Sequence, residues 1–406
     1  MYLQLAWRNI WRNPRRTAVI LMAVIIGVWS MVFLGALMDG ISEQMLRNSI
    51  ATLTGSLQVH HPGYRSDPVI ENSMNTPAEV EKALATGLPD GAHWAPRIRV
   101  SAVASNARHS SGVTLVGIDP PREARVSFIG NAVTQGRYLE PDDPHGIVVG
   151  QALAEKFKTR PGRKLVLMSP AADREMASRA FRIVGIYRAE LEATEKAFVF
   201  VTLPAARKML KLESALSEIS ALLPEGTDEA SVVSAIKAGL PDGYAVETWQ
   251  ELLPVITGYL ELNRGFTFIW YLVVFIAMGF GIVNTLLMAV FERMREFGLL
   301  RALGMKPWHI TAEVLTESFF LLMMGMAAGN FLSFLSLTAL ADTGIDLSAF
   351  AAGVEYAGMP RIIYPAVKPY NAIVANLVVL VLGLIVSLYP ALKAARFTPV
   401  KAMAQH

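Results

Sequence analysis

Four stretches of this 406-residue chain run without a single Asp, Glu, Lys or Arg: 17–38, 265–291, 318–341 and 369–392. Each is closed by charge on both sides, between Arg16 and Asp39, Arg264 and Glu292, Glu317 and Asp342, and Lys368 and Lys393. A helix rising about 1.5 Å per residue needs about 20 residues to cross a hydrocarbon core about 30 Å thick. All four runs therefore predict transmembrane helices. The first is longer than the ~7–15 apolar residues of a signal peptide and leads into Asp39-Gly40 rather than a small-residue cleavage site, so it predicts an uncleaved anchor.

Residues 39–264 have a different texture. Runs at 55–60, 95–104, 112–118, 217–223 and 244–248 have the composition of strands, and 77–85 and 228–238 have helical periodicity. Between these blocks, 146–150, 164–168, 181–188 and 197–202 predict further strands, with helices at 151–158 and 204–210 and a turn at Pro161-Gly162. The pattern predicts one subdomain assembled from 39–118 and 212–264, with a second, 119–211, inserted into it. The expected fold class is an α-helical membrane protein with four transmembrane helices plus a large α/β (α+β) extracytoplasmic domain of two subdomains between helices 1 and 2.

Composition agrees with that division. With 53% apolar residues, 17% charged ones and a mean hydropathy of +0.38, the chain is too apolar for two or three soluble domains. The 30 Gly have no period and the 22 Pro do not cluster, which excludes collagen-like and disordered chains. The absence of Cys excludes disulfides, thiolate metal sites and cysteine nucleophiles.

Charge orients the spans. Arg8, Arg12, Arg15 and Arg16 precede the first run, Arg293, Arg295, Arg301 and Lys306 follow the second, and Lys393, Arg396 and Lys401 follow the fourth. By the positive-inside rule these three flanks are cytoplasmic. Both termini are then expected inside, with 1–16, 292–317 and 393–406 cytoplasmic, 39–264 outside and 342–368 a short outer loop. The 39–264 segment carries 24 basic and 27 acidic residues, and the remainder 13 and 7. The overall +3 is thus topological, and nucleic acid is not an expected partner.

The segment Glu292-Arg-Met-Arg-Glu-Phe-Gly-Leu-Leu-Arg-Ala-Leu-Gly-Met-Lys-Pro307 is the most informative. Arg293 with Glu296 and Glu292 with Arg295 are opposite charges three apart, Phe297, Leu300 and Leu303 recur at threes, and Gly304 followed by Pro307 supplies a stop. It predicts a short amphipathic helix whose exposed apolar side chains need a partner surface. Elsewhere, Gly325 and Gly329 form a small-xxx-small pair, equally suited to packing within the chain or between subunits. Glu313 and Glu317 lie one turn apart at the edge of the third span, and Asn284 suits an interhelical hydrogen bond. The seven His show no ligand spacing, so no metal is expected, and no catalytic constellation is found. No Gly-Lys pair occurs, so a phosphate-binding P-loop is absent from this sequence and an ATP-driven motor is expected on a separate chain.

The run Glu292 to Pro307, continued by His309-Ile310 and Leu315-Thr316-Glu317, resembles the signature of MacB-type ABC transporter permeases, the group of the lipoprotein-releasing Lol permeases, MacB and FtsX. Tyr389-Pro-Ala-Leu-Lys-Ala-Ala-Arg396 with Pro399 and Ala402 resembles the end of those proteins, and one span, a large outer domain and three further spans is their layout. Val148 to Ala154, Arg160-Pro-Gly162, Phe181 to Ile186 and Ala197 to Val201 resemble the Lol permeases (LolC/LolE-type) most. The resemblance implies an amphipathic elbow helix within 1–16, Porter-like and Sabre-like subdomains, and a bacterial inner-membrane location with a periplasmic domain. It implies a coupling helix seated in a cytoplasmic ABC ATPase dimer, with Glu292, Arg293, Arg295, Glu296, Phe297, Gly298, Leu300, Arg301, Gly304 and Glu317 coupling the two. ATP and Mg would be bound by that ATPase and no cofactor by this chain. A second permease subunit, identical or paralogous, membrane lipids, and a lipoprotein or periplasmic carrier or adaptor are the other implied partners.

The expected activity is release of lipoproteins or another lipid-linked substrate, with Ile25, Val28, Phe33, Phe268, Tyr271 and Phe275 contacting acyl chains. The connection 169–180 is shorter than the hook of the carrier-docking Lol subunit. An FtsX-like regulatory scaffold and MacB-like efflux of a drug or peptide through an adaptor are the alternatives.

Overall fold

The computed structural model describes residues 2–347, 349, 360 and 362–396. Tail residues Pro399, Lys401 and Ala402, and 350–359 of the outer loop, lie outside them. The described residues form two compact units: 2–43, 259–349 and 362–396 make the first, and 44–258 the second.

In the first unit, α1 (Tyr2–Arg12) is followed by α2 (Pro14–Ser49), and α11 (Pro254–Glu292), α12 (Met294–Ala302), α13 (Pro307–Ala341) and α14 (Pro369–Ala395) complete the set. Four of these, α2, α11, α13 and α14, are long and apolar enough to cross a membrane. The helices overrun the charge-free runs because charge ends the apolar stretch but not the backbone hydrogen bonding: Asp39 and Glu43 are helical within α2.

Small residues and amides set the helix contacts. A Cβ on Gly325 would lie 2.6 Å from Val24, and one on Gly329 2.9 Å from Val28, so these glycines let α13 approach α2 closely. Asn330 and Asn376 exchange side-chain hydrogen bonds of 2.7 and 3.0 Å between α13 and α14, and each amide also donates to the carbonyl four residues earlier. This satisfies four polar groups where lipid supplies no partner. Asn284, expected to make such a bond, is instead exposed and has no hydrogen-bond partner among the described residues. At the other end of the spans, the Asn263 amide donates to the Met38 carbonyl (3.2 Å) and to Ser42 Oγ (2.6 Å), and Asn371 donates to Asp39 (2.5 Å).

The second unit is built on one sheet. Its strands are β1 (Leu57–His60), β2 (His93–Ser105), β3 (Ser110–Ile118), β4 (Val133–Gly136), β5 (Gly146–Gly150), β6 (Lys164–Pro170), β7 (Met176–Tyr187), β8 (Phe198–Thr202), β9 (Glu218–Leu222) and β10 (Ala245–Thr248). They lie in the order β10-β1-β9-β2-β3-β8-β5-β7-β4, with β6 paired to β2 and β7. Strands from the two ends of the segment are therefore neighbours, as are those from its middle. The two groups are not separate sheets, because β3 pairs with β8 in parallel from Thr114↔Phe198 to Ile118↔Thr202. Helices α3 (Pro77–Gly87), α8 (Leu203–Leu210) and α9 (Glu229–Gly239) supply Val80, Leu84, Ala206, Leu210 and Ile236 to a core shared with Leu57, Ile98, Leu115, Ile147, Phe181 and Val199, and the short helices α4 (Pro120–Glu123), α5 (Ile129–Ala132), α6 (Gln151–Lys156), α7 (Glu192–Ala197) and α10 (Trp249–Leu252) fill the connections. The β6–β7 hairpin closes through residues 171–175, with Ala171 N donating to Glu175 O, so no extended hook projects from it.

Where α2 ends, the backbone departs from regular helix. Residues 50–54 form a π-helical turn in which Leu53 takes a left-handed φ of 70°, a conformation costly for a side chain with a branched γ-carbon. Three side chains hold it through four hydrogen bonds. Arg97 from β2 donates to the Leu53 carbonyl, Gln58 donates to the carbonyls of Leu53 (2.9 Å) and Thr54 (3.0 Å), and Ser220 donates to Thr54 (3.0 Å). Arg97 is wholly buried, bidentate to Glu123 at 2.8 and 2.9 Å and 3.4 Å from Glu218. Burial opposes its charge, but the two carboxylates outweigh that and raise its pKa.

Candidate functional site

The segment joining α11 to α13 is shaped by its sequence. Leu303 ends α12, Gly304 takes φ 91°, Gly304 N donates to Arg301 O (3.1 Å) and Met305 N to Leu300 O (3.0 Å). This is a Schellman stop, completed by apolar packing of Met305 and Leu300, and glycine is needed where φ is positive. Arg301 donates to Ala395 O at 2.5 Å, placing a cation at the carbonyl end of α14.

Phe297 is not the exposed residue the sequence pattern predicts. It is 1% exposed and packs with Val290, Ile310, Val314, Ala391 and Ala394, so α12 is seated against the ends of the chain's own spanning helices. Burying a ring of this size contributes about 1.5–3 kcal/mol. Gly298 is buried beside it and Leu300 half-buried. The exposed apolar side chains here are Leu299 (58%), Leu303 (77%) and Trp308 (59%). Arg295 is exposed.

Between α12 and the spans lies an ion-pair network. Arg293 reaches Glu313 (2.7 Å), Glu317 (3.1 Å) and Glu296 (3.2 Å), and its guanidinium stands 4.9 Å from the Phe297 ring. Arg16, at the start of α2, reaches Glu317 (3.2 Å) and Glu292 (3.5 Å), so among the described residues Glu292 pairs with α2 rather than with Arg295 as the sequence spacing predicts. From α1, Asn9 donates to Glu313 (3.1 Å) and Arg12 pairs with Glu296 (2.5 Å). Burial works against the Arg293 charge, but the Glu313 hydrogen bond and the Glu317 charge prevail and raise its pKa. Three guanidiniums thus tie α1, α2, α12 and α13 together through four carboxylates, and Arg16, Arg293, Glu313 and Glu317 are almost entirely enclosed.

The sequence pointed to Arg293, Glu296 and Glu317 but not to Asn9, Arg12 or Arg16 as their partners. Their signal was the four-arginine flank before the first span, which topology alone explains.

Glu296 titrates below the usual glutamate range, mainly through its hydrogen bond from Arg12. A carboxylate with a depressed pKa stabilises the fold above its unfolded pKa of about 4.3 and loses that contribution as pH falls through the folded value. We therefore expect the hydrogen-exchange protection of residues 2–12, relative to the intrinsic exchange rate at each pH, to be unchanged from pH 8 to pH 5 and to fall below about pH 4. Molar salt should have a similar loosening effect at neutral pH, because Arg12 and Glu296 are solvent-accessible.

Of the six side chains expected to meet acyl chains, Val28 and Phe275 are buried in the helix cluster with Val24, Met31, Met278 and Ile282. Ile25, Phe33 and Tyr271 are half-buried, and Phe268 is 69% exposed. Glycines 325 and 329 are engaged within the chain. No group of three or more His, Cys, Asp or Glu that could hold a metal occurs among the described residues.

Four spanning helices with a large domain between the first and second, and a short helix locked beneath them, define a multi-pass membrane protein of the permease type. Residues 17–238 match the MacB-like periplasmic core domain and residues 268–399 the FtsX-like permease C-terminal domain. The chain belongs to the MacB/FtsX-like family of ABC transporter permeases. It is 23% identical over 243 residues, 58% of each chain, to the lipoprotein-releasing system transmembrane protein LolC of Neisseria meningitidis. It is 22% identical over 412 residues to the macrolide export ATP-binding/permease protein MacB 1/2 of Paracoccus denitrificans, covering 99% of this chain and 58% of that one. It is 24% identical over 427 residues to the pyoverdine export ATP-binding/permease protein PvdT of Pseudomonas fluorescens, covering 99% and 59%. The chain thus spans a little under three fifths of the length of these curated relatives.

Proposed function

We propose that this chain is the membrane subunit of an ABC transporter in which α12 couples a cytoplasmic ATPase to movement of the outer domain. One observation carries the reading: α12 is fixed by the Arg293 network and by Phe297, yet presents Leu299 and Leu303 outward. A rigid helix with a free apolar ridge suits force transmission from a partner, since a push on it is delivered to α1, α2 and α13 together. The ATPase is a separate chain that binds ATP and Mg, two copies serve two permease subunits, and the basic flanks and both termini face the cytoplasm.

Lipid-linked protein is the proposed substrate, drawn from the outer leaflet without passing through a polar channel. The LolC resemblance supports this, as does the apolar surface offered by Ile25 and Phe268. The nearly full-length resemblance to proteins named for macrolide and pyoverdine export favours a second reading, export of a small amphipathic compound.

The coupling reading predicts that Leu299→Asp abolishes co-purification of the ATPase while leaving the melting temperature within about 2 °C, because exposed positions away from special features change stability little, and that Leu303→Gln, which adds no charge at the carbonyl end of α12, weakens co-purification. Retained ATPase would sink it. Phe297→Asp is not an equivalent test, as it places a charge in a packed cluster. For the substrate, photo-crosslinkers at Ile25 and Phe268 should trap an acylated protein, whereas labelling of a small exported compound would select the second reading.

A further inference from the structure

Where the third and fourth spanning helices end on the α12 side, an open groove of about 710 Å³ separates the first turns of α13 from the last turn of α14. Ligand sites commonly enclose about 300–1,000 Å³. Its wall is apolar, with Leu315, Leu392 and Trp308, and its rim carries Arg301 and Arg396; no acidic residue lines it. Arg301 is fixed by its bond to Ala395 O, with its other N–H groups uncommitted. The Arg396 side chain is exposed and has no partner among the described residues.

The height of the groove is set by the sequence. Leu392 is the last residue of the fourth charge-free run and Leu315 lies just before the third, so the apolar wall sits at the edge of the hydrocarbon and the guanidiniums just beyond it. Arginine matches phosphate geometry, and tryptophan is favoured at headgroup depth. Leu299 and Leu303, the ridge offered to the ATPase, do not line the groove. We infer that the groove binds an anionic glycerophospholipid of the membrane leaflet, its phosphate between Arg301 and Arg396 and an acyl chain along Leu315 and Leu392. This rests on the membrane-spanning architecture and not on the transport reading.

The test is native mass spectrometry of the full chain in mild detergent with added phosphatidylglycerol or phosphatidylcholine. The wild type should retain phosphatidylglycerol preferentially. A basic residue near an anionic surface contributes about fivefold in binding, so Arg396→Glu, which removes one attraction and adds one repulsion, should weaken that retention on the order of 25-fold. Trp308→Ala should weaken it while keeping the headgroup preference. Arg15→Glu, an equal charge change at an exposed residue in the first turn of α2, should leave it unchanged. Melting curves establish that each variant is folded. Equal retention of the two lipids, or an equal loss in Arg15→Glu, would overturn the proposal. So would release of a co-purifying ATPase by Arg396→Glu with lipid retention intact, which assigns the groove to protein docking.

Discussion

Replacing Arg97 with Met is expected to destabilise the outer domain by about 3–5 kcal/mol, the cost of leaving buried carboxylates without their cation. Glu123, 0% exposed, loses its one cation among the described residues, and Glu218, 1% exposed, keeps only Arg99 at 3.6 Å, so neither can recruit water to replace the guanidinium. The loss has a second component, because Arg97 also holds the carbonyl of Leu53 in its left-handed turn. Denaturant titration of the full chain in detergent, followed by protection of the 44–60 amides in hydrogen exchange, separates the two. The triple variant Arg97→Met, Glu123→Leu, Glu218→Leu should recover much of the stability, as buried ion pairs often can be exchanged for apolar groups without loss. It should not recover protection at Leu53, whose carbonyl then keeps only Gln58.

Arg293→Ala is the second change with a large expected effect, about 3 kcal/mol. It strips Glu313 and Glu317 of their shared cation, although Glu317 keeps Arg16 and Glu313 keeps Asn9. The ring of Phe297 loses the guanidinium 4.9 Å away as well. We expect rapid proteolysis within 293–306, loss of the ATPase partner, and an outer domain that melts as in the wild type. Arg293→Lys should rescue little, since an ammonium on a flexible stem cannot serve three carboxylates from one plane. Cleavage resistance equal to wild type in Arg293→Ala would show that α12 is held by its apolar contacts alone.

The sequence made the membrane helices legible because charge-free length is a local signal, read without knowing any neighbour. It also made most strands of the outer domain legible, but not their order: the parallel β3–β8 pair joins residues about eighty apart, and nothing local encodes it. The burial of Phe297 is non-local in the same way. Its spacing with Leu300 and Leu303 is that of an amphipathic helix, but which of the three is covered depends on where α13 and α14 end. The role of Arg97 is not legible within its strand, since an arginine there reads as an outward-facing position until Glu123 and Glu218 are brought beside it. The family resemblance singles out residues 292–304 but says nothing of their tie to the first ten residues through Asn9 and Glu313.

The continuity of the outer sheet limits how this protein can be recombined with its relatives. Residues 119–211 look in sequence like a cassette that could be exchanged to transfer specificity. Excising them would take β8 from the side of β3 and β6 from the side of β2, baring two long strand edges that invite aggregation. A chimera that keeps these edges covered must exchange the whole of 57–248, from the first residue of β1 to the last of β10, and leave the membrane helices to their original owner.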